Sequence, residues 1–298
     1  MGVIVQAATS SFRLIKKIKD DRFDEESLHE YHLFLNFGTR DFQLLIVGED
    51  KRVLQLEDYV LPEVTTQEEL HLVMSAIFEA HEVLSAGFWK NVTAVFKTQK
   101  FVQVPLSLFL EEGKEEYLQF NASFDRTKET ILKQEHRLQE AVTIFAIPTV
   151  FHAWLTQVYA KTNLHFGHQS TALIEGFLAH SYTGKTTPLY IYIDRFRLHI
   201  AVCKNGKLIF YNQFIIKHFE DYIRYIMLVM KSLAMNQQSS EVILWGYIGR
   251  NSPHYHEFYK YIKNVVFGTK PASLKFGYMF DEVQEHHFFD LYSVHQLS

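Results

Sequence analysis

Apolar and polar residues alternate along Arg197-Leu198-His199-Ile200-Ala201-Val202, and a period of two puts every second side chain on one face of a β-strand. Asn205-Gly206 follows, a pair that tolerates the positive φ angles of a type I′ hairpin turn, and Lys207-Leu208-Ile209-Phe210-Tyr211 resumes the strand pattern. Residues 189–216 thus predict three antiparallel strands in succession. Phe219, Tyr222, Ile223, Ile226, Val229, Met230 and Leu233 then fall on one face of a helix. Val242-Ile243-Leu244-Trp245 reads as a short buried strand ending at Gly246.

The same order occurs between residues 31 and 96. Leu33-Phe34-Leu35-Asn36 meets a tight turn at Gly38-Thr39, a second strand runs from Gln43 to Val47, and a third follows the polar turn at 48–51, from Arg52 to Leu61. Thr65-Thr66-Gln67-Glu68-Glu69 opens a helix with a capping box, in which a Thr hydroxyl and a Glu carboxylate three residues on satisfy each other's backbone N–H groups. Leu70, Val73, Met74, Ile77, Phe78 and Leu84 form its apolar face, and Val92 to Phe96 a fourth strand. The two copies of β-β-β-α-β share almost no residues, so the repeat is one of pattern, with chance recurrence of a common meander as the alternative.

Elsewhere the pattern is weaker. Residues 1–27 read as a loosely tied lead-in, Lys100 to Pro105 as a short strand stopped by proline, and Leu106 to Leu110 as a short helix. The stretch 111–141 is charge-rich and its middle reads as a loop or exposed excursion, and Val142 to Ile147 reads as a fifth strand. Helices are expected on Val150, Phe151, Trp154, Leu155 and Val158, on Thr171, Ile174, Phe177 and Leu178, and after the Ser252-Pro253 cap with Phe258, Tyr261, Ile262 and Val265 inward. Ser273 to Met279 suggests a final strand, and His286 to Val294 a short helix or turn. The polar stretch 181–188 is the best linker, which gives a lead-in at 1–27, a first domain at 28–187 and a second at 188–298.

Composition narrows the function. With 298 residues, 47% of them hydrophobic, the chain can build an ample core, and a net charge of -4 with interspersed signs gives no nucleic-acid footprint. The one basic run, Arg13 to Lys19, reads as a solvated segment. Cys203 is the only cysteine, so no intramolecular disulfide can form, and its place on an apolar strand suits a buried thiol. Met1 to Gln6 lacks the apolar core of a signal peptide, and no run approaches the ~18 apolar residues of a membrane span. A cytoplasmic protein without membrane insertion is expected.

Several motifs fail on inspection. Gly184-Lys185-Thr186 has the ending of a phosphate-binding loop, but Ala179 stands where its first glycine belongs, and the stretch follows a helix rather than a strand. His165 with His168, His254 with His256, and Glu285-His286-His287 lack metal-site spacing and cysteine partners. A two-metal nuclease would need carboxylates converging from strand ends; Asp194 suits, whereas Asn36 and Gly246 hold the corresponding places.

Two β-β-β-α-β-α units facing a cleft are similar to the plan of the actin-like ATPases, in which the first hairpin of each half binds phosphate through an acid-x-Gly-Thr/Ser turn. Asn36-Phe37-Gly38-Thr39 resembles the first such turn with an amide in place of the acid. Asp194-Arg195-Phe196-Arg197 stands at the second, keeping the acid and losing the small residues. Trp245-Gly246-Tyr247-Ile248-Gly249 resembles the adenine-side glycine motif, with bulky residues where close approach is wanted. The resemblance makes Asn36, Gly38, Thr39, Asp194, Gly246 and Gly249 nucleotide-binding candidates; a purely structural reading makes the glycines turn residues. From about Leu28 onward the chain also resembles a bacterial family called domain of unknown function 3822. The matching blocks are Leu33 to Val47, Phe101-Val102-Gln103-Val104-Pro105-Leu106, Phe145-Ala146-Ile147-Pro148, and the closing Glu285-His286-His287-Phe288-Phe289-Asp290-Leu291-Tyr292. That resemblance implies an actin-like, ribonuclease H-related fold and no particular reaction.

The expectation is therefore an α/β protein of two related ribonuclease H-like (actin-like ATPase) domains, each a mixed sheet, facing a cleft. Its expected role is an intracellular interaction or scaffold protein without turnover, similar to the pilus- and division-associated actin-like adaptors. The alternative is a working ATP-binding protein, ATPase or kinase, using Asp194, Gly38, Thr39 and Gly246. No catalytic residue, no metal site and no firmly held cofactor is expected, with ATP and magnesium bound weakly at most. The expected partner is another protein, with self-association open to it. Phe288, Phe289, Leu291 and Tyr292 are too apolar for a free tail and should dock on the second domain.

Overall fold

The computed structural model describes residues 12–297, apart from residues 63, 65, 182–185 and 196. Met1 to Gln6, Thr65, Gly184, Lys185 and Phe196 in the readings above lie outside the described residues, as do the side chains of residues 67, 68, 219 and 254. The chain begins with β1 (Arg13–Lys19), β2 (His32–Phe37), β3 (Asp41–Val47), β4 (Val53–Val60), α1 (Gln67–Ala80) and β5 (Asn91–Phe96). A small antiparallel sheet follows, made of β6 (Phe101–Pro105), β7 (Glu129–Glu135) and β8 (Ala141–Pro148), with α2 (Lys114–Gln119) against it. Next come α3 (Thr149–Val158), β9 (Asn163–His168) and α4 (Gln169–Ser181). The second large sheet contains β10 (Leu189–Ile193), β11 (Arg197–Lys204), β12 (Lys207–Ile215), β13 (Val242–Gly246) and β14 (Val265–Phe267), with α5 (Phe219–Ser232) and α6 (Pro253–Tyr261) between its later strands. Helix α7 (Phe289–Ser293) lies near the C-terminus.

The large sheets share a plan. The first runs β1-β4-β3-β2-β5-β9 and the second β12-β11-β10-β13-β14, so each places an antiparallel meander beside a parallel strand that returns after a helix. The expected meanders are present, and the hairpin after β11 has positive φ at both Asn205 (54°) and Gly206 (70°), as a type I′ turn requires. Thr66 caps α1 in a full capping box with Glu69. The expected cap of α6 is also present, with the Ser252 hydroxyl accepting from the Tyr255 N–H.

Several weaker readings differ in part from the structure. The described part of the lead-in, 12–27, is tied down: β1 pairs antiparallel with β4, burying Ile18 while its lysines stay wet, a charged edge that discourages pairing with other chains. The middle of the charge-rich stretch, 120–128, has no helix or strand, as expected, but its flanks hold α2 and β7, a strand whose half-exposed faces hid its alternation among charges. The expected strand at Val142 to Ile147 is present as β8, the middle of the small sheet, while the strand beside β5 in the first large sheet is β9, whose Asn, Gly and two His residues give no apolar signal. Residues 273–279 form no strand beyond one bridge between Arg52 and Lys275, and Val265 opens β14 instead of extending a helix. Tyr261 is 45% exposed, not inward.

Period-two alternation sorts each large sheet into two faces. On the first, Leu33, Leu35, Phe37, Phe42, Leu44 and Ile46 pack beneath α1 and α3, while Phe34, Leu45, Val47, Leu56 and Val95 face the other way. That second face is covered by the C-terminal segment through Phe280, Phe288, Leu291 and Tyr292, whereas Phe289 stacks on Trp245 of the second sheet. The segment therefore docks between the sheets and largely on the first, not on the second domain alone. Helix α4, buried at every residue from 169 to 178, fills the remaining space.

One buried carboxylate ties three elements outside this interface. Glu57 of β4 receives hydrogen bonds from Gln55 (2.8 Å), Tyr59 and His81 (3.1 Å), and Lys17 of β1 lies at 2.9 Å. Burial alone would raise its carboxyl, but the bonds from His81, Tyr59 and Lys17 pull it down to about 2 from 4.5. A depressed folded-state value contributes stability above the unfolded value that is lost as pH falls toward 2, on the order of 3 kcal/mol here. Denaturant titrations at stepped pH should show a shallower acid-side loss in Glu57→Gln than in wild type; parallel curves would refute the assignment.

Candidate functional site

Strands β2 and β5 run parallel, as do β10 and β13, and both pairs end at the cleft between the sheets. In open α/β sheets ligands settle outside such carboxyl ends, where the strand order reverses. The alternation that buries apolar residues on one face puts polar ones on the other near these ends: Asn36 on β2, Asp41 and Gln43 on β3, Asp58 on β4, and Lys97 just after β5. From the second sheet come Tyr192 and Asp194, with Arg195 in the turn that follows. Gln169 of α4 and Asp290 of α7 complete the set.

Lys97 lies at the centre. Its side chain has no exposed surface, and its ammonium bonds to Asp41 and lies 3.7 Å from Asp194 and 3.6 Å from Asp290. Burial would lower its pKa, but the three carboxylates hold it above its ordinary value. Arg195 bridges Asp41 (3.2 Å) and Asp58 (2.6 Å) and stacks over the Tyr247 ring at 4.5 Å. Burial would likewise raise the Asp194 carboxyl, yet Lys97 and Arg197 hold it well below the usual carboxylate range. At Asp41 and Asp58 burial wins over the pull of the nearby cations and moves the carboxyls up. Low local dielectric makes such a network strong when complete and costly when one member is lost.

The six candidates are placed unevenly around this centre. Asn36 donates to Asp290 (3.0 Å) and Gln43 (3.3 Å), and Gln169 donates to both Asp194 (3.1 Å) and Asp290 (2.8 Å), so Asn36 and Asp194 belong to one network. Gly38 is buried under the Asp41 side chain: a Cβ there would lie 2.0 Å from Asp41 Oδ1. Thr39, next to it, is exposed. Gly246 has φ +105° and would set a Cβ 2.0 Å from the Ile193 carbonyl oxygen, so only glycine lets β13 close against β10. Gly249 stands apart, with nothing among the described residues within 4 Å of a Cβ built on it. A pocket of about 490 Å³ opens beside Asp194, Arg195, Lys217, Tyr222 and Tyr247.

Sequence reasoning missed Lys97, Asp41, Gln43, Asp58, Gln169 and Asp290. A signal existed for some: Asp41 and Gln43 share a parity on an otherwise apolar strand, and Asp290 is the lone acid in an aromatic run. Among the described residues, no group of three or more His, Cys, Asp or Glu is placed to hold a metal ion, and no helix is long and apolar enough to cross a membrane.

The two sheets of matching order and the cleft between them define an actin-like ATPase fold. In structure the chain is similar to a Bacteroides thetaiotaomicron VPI-5482 protein of actin-like ATPase fold and unknown function, at a TM-score of 0.73 and 24% identity over 82% of this chain and 93% of that one. It is also similar to a chain of the PilM–PilN type IV pilus biogenesis complex, at a TM-score of 0.57 and 11% identity over 90% of this chain and 98% of that one. The chain belongs to the family described as Protein of unknown function (DUF3822), whose family model matches residues 20–265. No curated protein matches the chain.

Proposed function

We propose that this is a non-catalytic, cytoplasmic protein of the actin-like ATPase fold, with degenerate phosphate turns, that works by binding another protein. The observation that carries this reading is Lys97: its ammonium, enclosed by Asp41, Asp194 and Asp290, occupies the centre of the cleft with the protein's own charges. Phosphoryl transfer depends on cationic groups and Mg²⁺ free to meet a phosphate, and here Lys97 and Arg195 are already matched to carboxylates. Asn36 supplies an amide where a charge would orient metal. The likeness to a chain of the PilM–PilN complex, itself an assembly of proteins, supports the choice of a protein partner. The shared strand order of the two sheets supports an origin by internal duplication.

A second reading rests on the open pocket of about 490 Å³ beside Asp194, whose Arg195 and Lys217 suit an anion and whose Tyr222 and Tyr247 suit a flat ring. It makes the protein a nucleotide-binding pseudoenzyme. Melting with and without millimolar Mg-ATP separates the two. A ligand at a hundredfold excess over its dissociation constant stabilises by about 2.7 kcal/mol, which is readily seen. The first reading expects no shift; a saturable shift would replace it with the second.

A further inference from the structure

Helix α7 is five residues long, yet it delivers one carboxylate, without exposed surface, to the middle of the cleft. Asp290 Oδ2 accepts from Asn36 Nδ2 at 3.0 Å and from Gln169 Nε2 at 2.8 Å, and lies 3.6 Å from Lys97 Nζ. Its Oδ1 accepts from the Tyr192 hydroxyl. Donors from β2, α4, β10 and the residue after β5 thus converge on two oxygens. Both amides turn their NH₂ groups toward the carboxylate and leave Asn36 Oδ1 and Gln169 Oε1 buried without a partner among the described residues. An unmet buried acceptor is costly, and it persists here because the reverse orientation would set a carbonyl oxygen against the carboxylate.

We infer that Asn36, Lys97, Gln169 and Tyr192 form a carboxylate-binding site whose occupant is the chain's own Asp290, making the C-terminal segment a strap anchored in the cleft by one anion. The site requires two acceptor oxygens. An amide in the same place offers one and sets its NH₂ against other donors. The anchor joins both sheets, since Asn36 and Lys97 belong to the first, Tyr192 to the second and Gln169 to the helix between them. This anchor holds whether or not nucleotide is turned over.

The test is chemical replacement of the lost group. Full-length Asp290→Ala is melted in rising sodium formate and, in parallel, in sodium chloride of equal ionic strength. It should melt several degrees below wild type and recover saturably with formate, not with chloride, while wild type responds to neither. Adding Lys97→Met to Asp290→Ala should abolish the recovery. Hydrogen exchange across residues 280–297 should quicken in Asp290→Ala and slow again with formate. Asp290→Asn covers the case in which the alanine variant does not fold. It keeps the shape, so it should melt several degrees low if two acceptors are required and like wild type if the side chain only fills space. A wild-type melt for Asp290→Asn, or a folded Asp290→Ala indifferent to formate, overturns the inference.

Discussion

Replacing Lys97 by methionine should destabilise the protein by about 3–5 kcal/mol, the usual cost of removing one partner from a buried charge cluster. The substitution keeps the bulk of the side chain, so the loss comes from charge rather than from a cavity. Asp41, Asp194 and Asp290 would be left facing one another with only the arginines to offset them. The proposed origin of the loss makes a further demand. Converting Asp290 to Asn in the Lys97→Met background should recover part of the stability, because it removes one of the unmatched charges, although each single change destabilises. Denaturant unfolding of the four proteins in a double-mutant cycle measures this coupling. Additive losses would show that Lys97 contributes through packing and not through the network.

Removing residues 282–298 should have an even larger effect. The strap buries Phe288, Phe289, Leu291 and Tyr292 completely or nearly so. At about 1.5–3 kcal/mol for each large apolar side chain, the four account for about 6–12 kcal/mol, comparable to the whole stability of an ordinary domain. The truncation also uncovers Phe34, Leu45, Val47 and Leu56, an apolar face of the first sheet. Insoluble protein, or a collapse of the cooperative melt, is the expected outcome. A soluble truncated protein melting like the full chain would mean that this face is covered by something other than the strap.

How far the sequence could be read follows from how local each signal was. The meanders were legible because alternation, Asn205-Gly206 and the Thr66 to Glu69 capping box are all decided within a few residues of chain. Strand β9 was not, because it is held by pairing with β5 along its whole length while its own residues carry little strand preference. Strand β14 has three residues and no pattern to detect. The cleft shows the same division. Asn36 and Asp194 could be singled out from their turns, whereas the contacts that give them their surroundings span the chain: Asn36 meets Asp290, 254 positions away, and Arg195 meets Asp58, 137 positions away. Nothing local marks Lys97 as the residue that three distant carboxylates would surround. The docking of the C-terminal aromatics was foreseeable from their apolarity, but the surface they cover was not, since both sheets offer an apolar face.

Phosphate release reads directly whether a cleft whose cations are matched by the protein's own carboxylates turns over ATP. Wild type and Asp194→Asn are incubated for hours with millimolar Mg-ATP, and inorganic phosphate is measured over time. Release should be equal and at background level from both. Sustained release by wild type well above the Asp194→Asn protein would overturn the non-catalytic reading and make the chain a working ATPase.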